Sequence, residues 1–161
     1  MKNILFAAAI FLMMLTFSCK KSSENPANNL FVGADFQGTT WIAQPSTEVL
    51  TNDTLVVRGF NSASSAYMLF KVKFNGVGNY TLTAGSQGEY YTSPVGTNTI
   101  TSQYKLDTTQ TNTVTFTSYN FSTRIATGSF QLNFVKTTGG SAFSNTANFT
   151  NGQFWIALPP E

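Results

Sequence analysis

From Leu30 onward, apolar and polar residues alternate with a period of two, the spacing that places successive side chains on opposite faces of a strand. The clearest run covers residues 66–74. Met68, Phe70, Val72 and Phe74 fall on one face, with Tyr67, Leu69, Lys71 and Lys73 on the other, so the first set is expected in the core and the lysines in solvent. Phe130, Leu132 and Phe134 form a second inward row, with Gln131 and Asn133 opposite. Ile100, Ser102, Tyr104 and Leu106 form a third, and Leu55 and Val57 begin a fourth. Val114 and Phe116 alternate with threonines as far as Ser118, where the apolar set shifts to Tyr119 and Phe121. Such a phase change predicts a bulge. No stretch of this region carries i, i+3, i+4, i+7 apolar spacing long enough for a helix.

Gly-rich clusters at residues 75–79, with Asn at both ends, and 137–141 predict hairpin turns. Thr, Val, Tyr and Phe, all strand formers, dominate the rest. The expected fold is all-β: a single antiparallel β-sandwich or flattened β-barrel of about eight to ten strands over residues 30–161. Its two ends resemble each other. Ala34-Asp35-Phe36-Gln37-Gly38 leads to Trp41-Ile42-Ala43, and Ala147-Asn148-Phe149-Thr150-Asn151-Gly152 leads to Trp155-Ile156-Ala157. Both read as strand, tight Gly turn, strand. Either they share hairpin chemistry alone, or they are neighbours that close the sheet and bury both indoles.

The chain begins differently. Lys2 precedes an apolar run over residues 4–17, long enough for a signal sequence and too short to span a bilayer comfortably. Leu15-Thr16-Phe17-Ser18-Cys19 follows and resembles a lipobox, with small Ser18 before the cysteine to be acylated. An ordinary signal peptide with Thr16 and Ser18 as the small residues would also start the mature chain at Cys19. Cys19 is the only cysteine, and a free thiol in an exported protein is a liability. Lipidation of Cys19 accounts for both its number and its place. Several acyl chains anchor stably, since each buried CH₂ contributes about 0.8 kcal/mol. The expected organisation is a lipoprotein signal peptide at 1–18, lipidated Cys19 with a polar tether to residue 29, and one β domain from 30. The lipid bilayer is then a partner through acylated Cys19.

Composition narrows the chemistry. The chain has no histidine, which removes the commonest general base and metal ligand together. With one cysteine it has neither an internal disulfide nor a thiolate zinc site. The net charge of +2 falls to +1 once Lys2 is removed, and there is no basic stripe for a phosphate backbone, so no nucleic-acid partner is expected. No cofactor is expected either.

The lipobox cysteine, the polar tether, residues 31–41, Gly128-Ser129-Phe130 and Thr150-Asn151-Gly152-Gln153-Phe154 together resemble the small Bacteroidota envelope lipoproteins grouped as domains of unknown function. The resemblance implies an antiparallel β domain on the cell envelope, held to the outer membrane, and supplies no catalytic residues. Residues 20–24, Lys-Lys-Ser-Ser-Glu, are not the acidic run that accompanies surface display in that phylum, so surface and periplasmic orientations both stay open.

Remaining candidates are few. Glu89-Tyr90-Tyr91 and the two tryptophans offer flat faces for sugar stacking, and adjacent Tyr90 and Tyr91 must point to opposite faces of a strand. Core filling and cross-strand pairing are the competing uses of such rings. Asp53-Thr54-Leu55 and Asp107-Thr108-Thr109 resemble O-glycosylation sites of Bacteroidota, with Thr54 and Thr108 as acceptors. Residues 48–54 are rich in oxygen ligands but lack the carboxylate spacing of a dedicated Ca²⁺ loop, and no metal site is expected. A carboxylate hydrolase needs two acids about 5–9.5 Å apart, for which Asp35 with Glu89 is the example weighed; no catalytic residue is assigned. The reading is a non-enzymatic envelope lipoprotein that binds a glycan or an envelope protein. A lipocalin-like carrier of a small apolar ligand is the alternative, and a carboxylate-dependent hydrolase a third class. Cys19→Ser is expected to move the protein from the membrane to the soluble fraction. Retention of the variant on membranes after high-salt washing would contradict the anchor.

Overall fold

A computed structural model describes residues 29–50, 52–97 and 99–160. The signal peptide, Cys19 and all of the tether but Asn29 lie outside the described residues. The strands are β1 (Phe31–Phe36), β2 (Thr39–Leu50), β3 (Thr54–Asn61), β4 (Ala66–Lys73), β5 (Gly78–Thr81), β6 (Gly88–Thr92), β7 (Ser102–Leu106), β8 (Thr113–Asn120), β9 (Ile125–Gly139) and β10 (Thr146–Ala157). They form one ten-stranded sheet in the order β10-β1-β2-β3-β4-β6-β7-β9-β8-β5, and a further β10–β9 pairing closes it into a ring. Every pairing is antiparallel. The fold is therefore all-β, as the alternation predicts, and the ring closure makes it a barrel, one of the two forms that the sequence left open.

Eight strands make the ring, and β5 and β8 branch from it as a pair. The long β9 makes this possible. One edge pairs with β10 over residues 125–135. The other pairs with β8 from Ile125 to Gln131 and with β7 from Phe134 to Gly139. Above the start of β1, the Thr47 hydroxyl donates to the Ala157 carbonyl and ties β2 directly to β10.

Burial follows the predicted alternation in β4, where Ala66, Met68, Phe70 and Val72 are buried and Lys73 is exposed. Phe130, Leu132 and Phe134 also point inward. Val56 is fully buried on the outer side of β3, flanked by its cross-strand partners Glu48 and Lys71, whose stems can cover apolar surface while their charges stay wet. The predicted bulge in β8 lies between Phe116 and Ser118. It keeps Tyr119 packed on the core, while Phe121 is exposed beyond the strand.

Four local expectations are corrected. Residues 75–79 are not a hairpin, because β5 pairs with β8 and not with β4. The chain swings out so that Phe74 and Tyr80 can pack on Phe116, at 4.7 and 5.5 Å between ring centroids, and the single proton of the Tyr80 hydroxyl is shared between two acceptors, Asn75 Oδ1 and the Gly76 carbonyl. Residues 137–139 belong to β9, since Ser102 of β7 pairs with Gly139, and the turn follows at 140–145. Ile100 lies outside β7 and is 52% exposed. The two terminal motifs differ in structure. Gln37 and Gly38, with φ of 49° and 79°, form the two-residue turn of a β1–β2 hairpin. Residues 147–157 are instead one strand, with a bulge between Phe149 and Gly152. The two segments are nevertheless neighbours across the seam, Phe36 opposite Phe149 and Phe31 opposite Trp155. Trp41 is buried inside, and Trp155 is half-buried on the outer face.

Aromatic rings fill the barrel in two groups. Phe149 sits against Phe36, Trp41, Tyr90 and Phe134, with centroids 4.6–5.8 Å apart. Phe154 sits against Phe116 at 4.9 Å and Phe70 at 6.1 Å. Rings this large need small residues opposite them. A Cβ on inward-facing Gly128 would lie 2.3 Å from the Phe154 ring and 2.0 Å from the Thr115 carbonyl oxygen; one on Gly152 would lie 2.5 Å from the Phe130 ring.

Gly128→Ala is expected to destabilise the domain by about 1–3 kcal/mol through overpacking. Gly140→Ala, with nothing within 4 Å of its Cβ, should change stability by less than ~0.5 kcal/mol. Urea titration of both variants checks the difference.

Candidate functional site

Tyr90 and Tyr91 do point to opposite faces of β6, and only one is a surface residue. Tyr90 is a correction to the candidate list. It is 4% exposed and packs among Phe36, Tyr104, Phe134 and Phe149, so it is a core side chain and presents no surface to a ligand. Burial, reinforced by the neighbouring Tyr104, pushes its phenol up to about 12.

Tyr91 stands on the outer face in a row of three rings contributed by three adjacent strands. Phe60 of β3 is directly opposite Tyr67 of β4, and Tyr67 is opposite Tyr91 of β6. The centroids lie 4.5 Å apart for Phe60–Tyr67 and 5.1 Å for Tyr67–Tyr91, the latter pair stacked at 15°. Stacked rings cover each other's inner faces, which leaves edges, phenols and end faces for other contacts. Beside the row runs a groove of about 590 Å³, lined by Phe60, Ser65, Tyr67, Tyr91, Ser93, Gly96, Thr97 and Ile100. The apolar side comes from the rings and Ile100, the hydroxyls from the two tyrosines, Ser65, Ser93 and Thr97. The lining holds no charged side chain. Burial raises the Tyr91 phenol above its ordinary value, with Tyr67 and Glu89 adding to the effect and Arg58 opposing it.

The row could not be found from sequence alone. Tyr67 is on the expected outer face of its strand, but its pairing with Tyr91 requires β4 to skip β5 and join β6.

The carboxylates are dispersed and engaged separately. Asp35 accepts from the Asn151 amide at 2.8 Å. Glu48 is ion-paired to Arg58, whose hydrogen bond holds its carboxyl below the usual range. It belongs to β2, which runs on to Leu50, so residues 48–50 are strand and not a cation loop. Asp107 Oδ1 accepts from the Thr109 N–H at 3.0 Å and hydroxyl at 2.6 Å, which lowers its pKa. Asp35 on β1 and Glu89 on β6 are four strand steps apart in either direction around the eight-strand ring, and both alternate to the outer face, so they point away from each other on opposite walls and share no cleft for a glycosidase pair. Among the described residues no three His, Cys, Asp or Glu side chains gather where they could hold a metal.

Of the two modification candidates, Thr108 lies exposed in the turn after β7. Thr54 is half-buried as the first residue of β3, paired to Leu50 on one side and Lys73 on the other. No family profile, curated protein or solved structure matches the chain.

Tyr90 gives a pH prediction with a definite sign. The native state keeps a proton that the unfolded chain releases near the ordinary value of 10.0, so stability must fall as pH rises from about 10 to about 12. The slope from this group reaches at most about 1.4 kcal/mol per pH unit. Tyr90→Phe should flatten that part of the alkaline decline in urea titrations, and an unchanged slope would contradict the assignment.

Proposed function

We propose that this protein is a membrane-anchored envelope lipoprotein whose β domain is a non-enzymatic module for binding a neutral glycan. The observation that carries the reading is the Phe60–Tyr67–Tyr91 row bordering a groove whose polar atoms are hydroxyls. A pyranose presents apolar C–H surfaces and a rim of hydroxyls. Aromatic and aliphatic side chains suit the first, and hydroxyls suit the second: the Tyr67 and Tyr91 phenols can donate or accept, while Ser93 and Thr97, which donate to the Ser65 and Pro94 carbonyls, are left as acceptors. Among the described residues the lining itself holds no charged side chain, so its direct contacts are hydroxyls and rings, with Arg58 and Glu89 near enough to act on Tyr91.

Two further observations favour binding on the outside. An apolar carrier needs an internal cavity, whereas Phe70, Phe116, Phe134, Phe149 and Phe154 are all fully buried inside this barrel. A carboxylate hydrolase needs paired acids, whereas Asp35, Glu48 and Asp107 each have separate partners. The envelope setting rests on the Cys19 motif and on the resemblance to Bacteroidota lipoproteins.

The test is a glycan array probed with the protein, followed by calorimetry on the best neutral ligand. Tyr91→Ala and Tyr67→Ala should each weaken binding at least tenfold, about 1.4 kcal/mol, while leaving the fold intact. Binding that is indifferent to both substitutions, or confined to anionic glycans, would overturn the reading.

A further inference from the structure

The dipeptide Asn-Gly occurs twice in the chain, at Asn75-Gly76 and at Asn151-Gly152. This pairing lets the backbone attack its own side chain, because glycine carries no Cβ to shield its amide nitrogen. The glycine nitrogen bonds to the asparagine Cγ and the Cγ–Nδ2 bond breaks. The side-chain nitrogen leaves as ammonia, taking the proton that the glycine N–H gives up. Water then opens the succinimide ring. Opening at Cγ leaves an aspartyl residue, and opening at the main-chain carbonyl leaves an isoaspartyl residue, whose backbone runs through the former side chain. The fold places the two copies in opposite circumstances.

Asn75-Gly76 lies in the connection between β4 and β5, outside any strand. Asn75 is exposed, Gly76 has a φ of 108°, and nothing lies within 4 Å of where a Cβ on Gly76 would stand. Among the described residues none is hydrogen-bonded to Asn75 Nδ2 or to the Gly76 N–H, so leaving group and nucleophile are both unrestrained. The carbonyl under attack, by contrast, is engaged. The Tyr80 hydroxyl lies 2.7 Å from Asn75 Oδ1 and 2.6 Å from the Gly76 carbonyl oxygen and shares its proton between them. As the nitrogen adds to Cγ, negative charge gathers on Oδ1, and a donor already placed there stabilises it. Tyr80 is held in position by its ring, stacked on Phe74 and edge-on to Phe116.

Asn151-Gly152 has none of these features. Gly152 is buried within β10, which is paired to β1 on one side and β9 on the other, and a Cβ there would lie 2.5 Å from the Phe130 ring. Pairing on both sides opposes the backbone rotation that ring closure needs. The Asn151 Nδ2 donates to Asp35 Oδ2 at 2.8 Å, which holds the leaving nitrogen, and the carboxylate beside it opposes a second negative charge.

We propose that Asn75 is a site of self-modification in the folded protein, converted through a succinimide to aspartyl and isoaspartyl forms with Tyr80 as the oxyanion donor, while the same dipeptide in β10 is protected. The products carry a new negative charge and, in the isoaspartyl form, an extra main-chain carbon where the chain crosses from β4 to β5.

The test incubates the purified full chain at mildly alkaline pH and follows both peptides by mass spectrometry, with electron-transfer fragmentation to separate aspartyl from isoaspartyl products. A parallel incubation in guanidinium chloride gives the intrinsic rate of each dipeptide in the unfolded chain. In the folded protein position 75 should convert at least about tenfold faster than position 151, a difference of ~1.4 kcal/mol in barrier, and on unfolding the two rates should draw together. Tyr80→Phe, which keeps the ring against Phe116, should slow position 75 several-fold in the folded chain and leave the unfolded rate unchanged; a parent-like thermal transition shows that this variant is folded. Equal rates at the two positions in the folded protein overturn the proposal. So does a gap of the same size in the unfolded chain, which would come from flanking residues and not from the fold. A folded Tyr80→Phe chain that converts position 75 as fast as the parent, or faster, overturns the part given to Tyr80.

Discussion

In an unbroken strand Phe149 and Phe154 would face opposite sides of the sheet, because they are an odd number of steps apart. Both point into the barrel here, and the bulge between Phe149 and Gly152 is the reason. Asn151 takes a left-handed φ of 51°, a conformation Asn tolerates better than most residues, and its amide is held by Asp35 across the seam. One extra residue thus turns Phe154 and Ile156 inward while leaving Phe149 where it was. Phe149 joins rings from β1, β2, β6 and β9, and Phe154 joins rings from β4 and β8. The strand that closes the ring therefore also supplies a ring to each half of the core.

That packing dictates where function can lie. The interior is occupied by rings that fit only because Gly128 and Gly152 leave room for them. The bulge in β8 does for Tyr119 what the one in β10 does for Phe154. A barrel filled in this way leaves ligand binding to its outer face and loop ends. It is there that the Phe60–Tyr67–Tyr91 row is found.

Strand alternation was legible wherever one strand stood against the core along its whole length, as in residues 66–73 and in the Phe130–Leu132–Phe134 row. The β8 bulge was legible too, because the apolar phase shifts within a short run. The β10 bulge was not. Asn151-Gly152 is a strong hairpin signal, and only pairing to β1 and β9 on both sides keeps the chain extended through it. Opposite orientation of Tyr90 and Tyr91 followed from adjacency, but which one faced out depended on the closure of the ring. Phe60 and Tyr67 became partners of Tyr91 through a strand order that passes over β5, a long-range choice that local patterning does not encode.

The account makes the bulge, and not the general β-propensity of the chain, the determinant of a closed and filled barrel. Thermal unfolding of Asn151→Val tests this most directly, with Asn151→Gly as the reference. A β-branched residue opposes the left-handed φ of 51° that the bulge requires, whereas glycine adopts it freely, and both variants lose the amide held by Asp35. The expected result is that the valine variant melts well below the parent or loses its cooperative transition, while the glycine variant melts close to the parent. A valine variant with a cooperative transition near the parent's temperature would contradict the account.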